Sequence, residues 1–201
     1  MTLKLIKGLS ISSGDRVIEF APGIGFTAFK VLEKNPKLYT GIELNEEAAH
    51  NLRKKINGEN RSIIIGNASG VPLENNCADK LCGEAMLTMQ ADHKKSAIIK
   101  EAHRLLRKGG LYGIHELGLT PDHIDEKEKA EIQHELALCI KVNGRPLTQP
   151  EWINLLEKEG FRIKEIKTNP MLLLETKRIV DDEGLFRTLK IGFNIIRQPK
   201  A

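Results

Sequence analysis

Apolar strand-like runs alternate with amphipathic helical runs through the first 117 residues, and this alternation leaves few folds open. Arg16-Val-Ile-Glu-Phe20 is short and β-branched and lies between Gly14-Asp15 and Ala21-Pro-Gly23, so it reads as a buried strand. The pattern predicts a helix over 25–34 that stops at Asn35-Pro36, then a strand over 38–43. Asn45 stands at an N-cap position with Glu46 and Glu47 in the first turn, where the helix dipole favours anions; that helix ends at Asn57-Gly58. Strands follow over 62–66 and 78–83, a long helix over 91–107, and a strand over 111–117. The order β-α-β-α-β, then β-α-β, predicts an α/β protein with a doubly wound, mostly parallel sheet and helices on both faces.

The second half departs from strict alternation. A charged amphipathic helix is predicted over 121–142, and a capping-box pattern (Thr148 with Glu151) opens a helix over 150–158. Runs at 161–167 and 171–176 flank Thr168-Asn-Pro170, which reads as a turn between antiparallel strands; residues 182–197 carry a helical apolar stripe. We expect one domain over 1–201 with seven strands, the last antiparallel, an insertion over about 118–147 that covers the substrate, and a C-terminal helix over about 182–197.

Composition removes several classes. No run approaches the ~20 apolar residues of a membrane span, and MTLKLIKGLSISSGD lacks the pattern of a signal peptide. Three cysteines without CxxC spacing fit a reducing cytoplasm better than a disulfide scaffold. The net charge is only +4 and aromatics are 4%, too few for a base-stacking platform, so no nucleic-acid partner is expected. Metal-ligand spacing is absent, since His115-Glu116 begins no HExxH motif.

The loop after the first strand carries the functional signal. Gly23 and Gly25 permit a tight turn and close approach of a ligand to backbone N–H groups, in the crevice where open parallel sheets bind ligands. Glu43 ends the second strand 18 residues after Gly25, where a carboxylate can accept both ribose hydroxyls of an adenosine. Gly23-Ile-Gly-Phe-Thr-Ala28 also fits the nicotinamide fingerprint G-x-G-x-x-A. However, Glu19 sits four residues before Gly23, and a carboxylate there repels a pyrophosphate and suits a cationic ligand.

Glu19-Phe-Ala-Pro-Gly-Ile-Gly25 resembles motif I of the class I S-adenosylmethionine-dependent methyltransferases, and within them the small-molecule, ubiquinone/menaquinone-biosynthesis-like group. The resemblance runs over about 14–176. It continues in Gly41-Ile-Glu-Leu-Asn45, Gly66-Asn-Ala68 with Val71-Pro-Leu73, Ala78-Asp-Lys-Leu81, and Glu101-Ala-His-Arg104 leading to Lys108-Gly-Gly110. It implies a Rossmann-like methyltransferase fold, S-adenosylmethionine as cofactor, and roles for named positions. Backbone at Ala21, Gly23 and Gly25 would face the methionine part, with Glu19 near its ammonium. Glu43 would hold the ribose, with Leu44 beside it. Asn67 and the Ala68 N–H would read the adenine, and Glu84 would face the methionine end or the substrate. Ala21 replaces a glycine of the motif, which asks for a non-glycine backbone at that turn. Only 15 residues precede Arg16, which leaves the site open or covered by the C-terminal helix or a second subunit.

Methyl transfer needs a general base only where the acceptor must lose a proton. The candidates at the strand ends are Glu84 and the pair His115 and Glu116, each weighed as a catalytic group against a core residue. Strand alternation turns His115 and Glu116 to opposite faces, so at most one faces the pocket. His93 and His103 read as surface or packing residues, and His123 and His134 lie on the insertion. The end of the fourth strand, Glu84-Ala-Met-Leu87, lacks the N/D-P-P-Y/F loop of enzymes that methylate exocyclic or amide nitrogens. The expected acceptor is therefore a small molecule, with a homodimer through the C-terminal helix as one possible assembly. A catalytically silent binding module and a nicotinamide-dependent oxidoreductase stand as alternatives.

Overall fold

In a computed structural model, residues 1–140 and 144–170 are described. Five parallel strands, β1 (Arg16–Phe20), β2 (Leu38–Glu43), β3 (Arg61–Ile65), β4 (Ala78–Glu84) and β5 (Leu106–His115), form one sheet in the order β3-β2-β1-β4-β5. The order reverses between β1 and β4, so a crevice opens at their C-terminal ends. Register aligns Phe20 with Ile42 on one side and with Gly83 on the other, and Glu84 with His115. The second sheet is separate and small, with β6 (Gly118–Leu119) parallel to β7 (Leu147–Thr148). The expected α/β fold is present, with five strands in the main sheet rather than seven. Residues 161–170 carry no regular strand, and the runs at 171–176 and 182–197 lie outside the described residues.

Helices α1 (Thr2–Leu9), α2 (Phe26–Leu32) and α3 (Glu46–Lys55) belong to one apolar cluster, built on Ile6, Leu9, Val31, Tyr39 and Leu52. Helices α4 (Asp92–Leu105) and α6 (Gln149–Lys158) belong to the other, built on Phe20, Leu81, Ile99, Leu105 and Trp152. The Asn45 side chain accepts from the Ala48 N–H at 2.8 Å, and Glu151 accepts from the Thr148 N–H at 2.8 Å, as the capping patterns predict. Helix α5 (Glu126–Ile140) starts later than expected, because Asp125 caps it by accepting from the N–H groups of Lys127 and Glu128, both at 2.9 Å.

Helix α1 has no counterpart in the sequence reading. It fits because β5 offers a glycine: a Cβ on Gly113 would lie 2.6 Å from Leu5 Cδ1 and 3.2 Å from Leu9. The N-terminal segment thus lies on the sheet, and Thr2 reaches the end of β4. Two compact units divide the chain, 1–166 and 167–201, and all of these elements belong to the first.

Candidate functional site

The β1–α2 loop keeps left-handed backbone at three positions: Ala21 (φ 53°), Gly23 (φ 53°) and Gly25 (φ 97°). This corrects the expectation for Ala21. The alanine adopts the glycine geometry, and its N–H is held by the Ile42 carbonyl at 2.8 Å. The strain of an L-residue there is about 1–2 kcal/mol. Gly25 is required by packing as well, since a Cβ would stand 2.4 Å from Leu52 Cδ1. A Cβ on Gly23 would meet nothing within 4 Å, so that side of the loop is open.

Glu43 braces this loop. Its Oε2 accepts from the Gly23 N–H at 2.8 Å and its Oε1 from the Asn45 N–H at 2.9 Å. Each oxygen keeps a second lone pair, which suits a vicinal diol. Glu19 lies on β1 and Glu84 on β4, so three adjacent strands each carry a carboxylate at the crevice end. Among the described residues, no lysine or arginine forms an ion pair with any of the three; His115 pairs with Glu84.

Glu19 is only 2% exposed and accepts a 2.7 Å bond from the fully buried Tyr39 hydroxyl. Burial pushes its carboxyl up to about 8; the Tyr39 bond opposes this, and Glu84 and Glu43 add to it. At neutral pH in the free protein it is therefore mostly protonated.

These features fit the cofactor named by the resemblance better than a dinucleotide. A pyrophosphate would meet acidic side chains that no lysine or arginine among the described residues pairs, whereas a sulfonium with an ammonium would be attracted. The open face of Gly23 leaves room, and apolar side chains flank the loop. Leu44 is 69% exposed and Ile65 at the end of β3 is 40% exposed.

On the β3 side, the Asn67 side-chain oxygen accepts from the Ser69 N–H at 3.0 Å and the Ser69 hydroxyl at 2.9 Å. Both lone pairs are thus used in a local turn, and only the amide NH2 of this exposed residue remains to face a ligand. Ala68 is buried in the core cluster behind it. The Glu101–Arg104 signature acts on the same loop from below. Glu101 accepts from the Val71 N–H at 2.7 Å and pairs with Arg104, which donates to the Leu73 and Val71 carbonyls at 2.8 and 3.0 Å. The signature fixes the 71–75 segment by hydrogen bonds.

At the ends of β4 and β5 the two faces separate as alternation predicts. Glu116 points away from His115. Its carboxylate accepts from the N–H groups of Met86, Leu87 and Thr88 and from the Thr88 hydroxyl, at 2.7–3.1 Å. Burial raises its carboxyl, against the pull of those donors. Glu116 therefore pins the loop after β4, and its carboxylate is not free to act as a catalytic base. Glu84 lies on the other face. Its Oε1 accepts from Thr2 at 2.5 Å and lies 2.5 Å from His115 Nδ1, and its Oε2 accepts from Thr27 at 2.7 Å. Burial opposes ionisation, but His115, Thr2 and Thr27 together hold the carboxyl down at about 2. Ala85 follows in left-handed conformation (φ 52°), which turns the chain sharply away.

Thr2, Thr27 and Tyr39 were missed by the sequence reading, because each matters only through a partner 20 or more residues away. His103 stacks edge-on against Phe161 at 5.2 Å, a packing role as expected, and His93, His123 and His134 are exposed. No group of three or more metal-ligating side chains occurs among the described residues.

A methyltransferase-domain family model matches residues 17–110. An uncharacterized protein of Haemophilus influenzae is 30% identical over 197 residues, 96% of this chain and 76% of that one. The ribosomal RNA small subunit methyltransferase A of Prochlorococcus marinus is 34% identical over 71 residues, 35% of this chain and 25% of that enzyme. An S-adenosylmethionine-dependent methyltransferase from Mesorhizobium loti superposes with a TM-score of 0.69 at 17% identity, covering 93% of this chain and 91% of that one. The chain has the Rossmann-like methyltransferase fold, and its residues 17–110 match the methyltransferase-domain family.

Proposed function

We propose that this protein methylates a small-molecule acceptor, with the cofactor lying over the β1–α2 loop and the acceptor beyond the ends of β4 and β5. The observation that carries the reading is the crevice at three strand ends, open at Gly23 and bordered by carboxylates that no lysine or arginine among the described residues pairs. Glu43 holds the ribose hydroxyls, and Leu44 and Ile65 flank the adenine. The Ala68 N–H and the Asn67 amide NH2 supply hydrogen bonds to its ring nitrogens. The backbone at Ala21, Gly23 and Gly25 faces the methionine part. Glu19 contributes from beneath, through water, and is ionised when a cation lies above it. Bound there, the cofactor supplies an electrophilic methyl group on a cationic sulfur. The chain's own task is to align the acceptor about 3 Å from that carbon and to exclude water.

The acceptor class is argued from the end of β4. Glu84-Ala-Met-Leu87 lacks the Asp/Asn-Pro-Pro-aromatic loop that would clasp a flipped base or an amide nitrogen. The two ends of the 118–147 insertion are tied near this strand end, where Arg145 N–H donates to the Thr88 carbonyl at 2.7 Å and Trp152 Nε1 to the Leu117 carbonyl at 3.0 Å. We read this segment as the cover of the acceptor pocket. A cytoplasmic location is the setting that best suits the free thiols of Cys77 and Cys82.

Calorimetry with S-adenosylhomocysteine and NADH tests the cofactor. The homocysteine compound binds and NADH does not; Glu43→Gln weakens binding by about 1–3 kcal/mol. Binding of NADH alone, or unchanged affinity in the variant, refutes the assignment. Turnover confined to ribosomal RNA would refute the acceptor class. Cofactor binding with no turnover on any acceptor would favour a silent binding module.

A further inference from the structure

We propose that His115 is the proton acceptor of the reaction, held by Glu84, and that the acceptor is accordingly a compound methylated on a hydroxyl oxygen. The proposal rests on the cofactor reading above and adds the chemistry of the other substrate.

Glu84 and His115 are register partners at the C-terminal ends of adjacent parallel strands, so their side chains share one face at the crevice. Glu84 Oε1 lies 2.5 Å from His115 Nδ1. The carboxylate cannot swing away, because Thr2 from α1 and Thr27 from α2 also donate to it. Three elements thus converge to fix one imidazole. With the carboxylate ionised, the nitrogen facing it carries the hydrogen, and in the neutral ring the lone pair falls on Nε2. No described residue engages Nε2 in a hydrogen bond, and the His115 side chain is 30% exposed. The arrangement is the orienting carboxylate and free base nitrogen that nucleophile activation requires.

The charged surroundings are few. Glu19 and Cys82 lie on the same face of the sheet, both protonated at neutral pH. Helix α1 brings the Met1 amino group and the exposed Lys4 and Lys7, and α2 brings Lys30, which is paired with Glu33. Glu116 lies on the opposite face with its carboxylate occupied. Among the described residues, Glu84 is the one hydrogen-bonded to the His115 ring.

This need for a base narrows the acceptor. A neutral amine attacks through its own lone pair and sheds its proton to water afterwards. A hydroxyl is a weak nucleophile until its proton begins to leave. In the step, the oxygen pair forms the new bond to the methyl carbon and the carbon–sulfur pair stays on sulfur. The hydroxyl proton passes to Nε2 and then to solvent. Glu84, Thr2 and Thr27 are positioning residues for this transfer.

The first test needs no substrate. In the free protein labelled with 15N-histidine, long-range 1H–15N spectra, with the signal assigned by His115→Gln, should show His115 protonated on Nδ1 when neutral. A ring protonated on Nε2 overturns the proposal. The second compares phenol, catechol and 4-methylphenol with N-methylaniline and benzenethiol as acceptors, using wild type, His115→Gln and Glu84→Gln. We expect turnover of the hydroxyl compounds, an about hundredfold or greater fall in kcat for His115→Gln, and a smaller fall for Glu84→Gln with its pH profile displaced. S-Adenosylhomocysteine affinity should stay within about threefold in His115→Gln, which separates failure of this proposal from failure of the cofactor reading. Turnover of only the amine or thiol, no turnover of the hydroxyl compounds, or wild-type kcat in His115→Gln overturns it.

Discussion

Replacing Glu19 by glutamine should change how stability depends on pH, and the size follows from the site. The Glu19 carboxyl is 2% exposed, and its group ionises at about 8 in the fold against 4.5 when unfolded. A carboxyl raised in this way favours the folded state at low pH. As pH rises past 4.5 the unfolded chain ionises first, and the fold loses stability until about pH 8. The loss is about 1 kcal/mol at about pH 5 and about 4 kcal/mol at about pH 8. Glutamine keeps the shape and accepts from Tyr39, but buries an amide NH2 at a cost of about 1–3 kcal/mol. That cost does not vary with pH and cancels in the comparison. Urea denaturation of both proteins at about pH 5 and about pH 8 should therefore show the variant gaining about 3 kcal/mol on wild type over the interval. Parallel stabilities at the two pH values would refute the reasoning, because Glu19 would then be ionised and hydrated. The same group predicts that S-adenosylhomocysteine binding near neutral pH releases a proton, read as a dependence of binding heat on buffer ionisation enthalpy.

Three further outcomes follow from the loop and the sheet. Gly25→Ala should destabilise by about 2–4 kcal/mol in urea and abolish S-adenosylhomocysteine binding, since the new Cβ would stand 2.4 Å from Leu52 at φ 97°. Ala21→Gly should stabilise by about 0.5–1 kcal/mol, as relief of the left-handed strain exceeds the added chain entropy; a loss of stability would mean that the alanine methyl packs. Asp79 is held at about 2; burial opposes this, but the Arg16 N–H, Arg107 and the Arg16 side chain prevail. Its contribution is present above 3.8 and lost as pH falls to about 2, so wild type should lose about 2 kcal/mol more than Asp79→Asn on acidification.

The strands of the first half were legible because each is a short apolar run with a turn signal at its ends, and the Asn45 and Thr148 caps were legible because their partners lie three residues on. What escaped depends on distant partners. Helix α1 is short and needs the notch at Gly113, over 100 residues away, to be worth forming. Strand β5 begins at Leu106 rather than at 111, since Leu106 pairs with Ala78 and the chain shifts register through Gly109 at φ 80°. In sequence, Lys108-Gly-Gly110 read only as the end of a helix. For the site, the spacing of Gly23, Gly25 and Glu43 was readable. That Glu116 would be consumed by three backbone N–H groups while His115 met Glu84 was readable only as opposite faces of one strand.

The anchoring of the loops after β4 and β5 bears on how such an enzyme diversifies. Glu116 ties the 86–88 turn to β5, Arg145 ties the returning arm to Thr88, and the β6–β7 ladder closes the circuit. None of these ties touches the glycine turn or Glu43. A lineage can therefore exchange the arm held by these ties as a cassette, while the glycine turn keeps its own brace from Glu43.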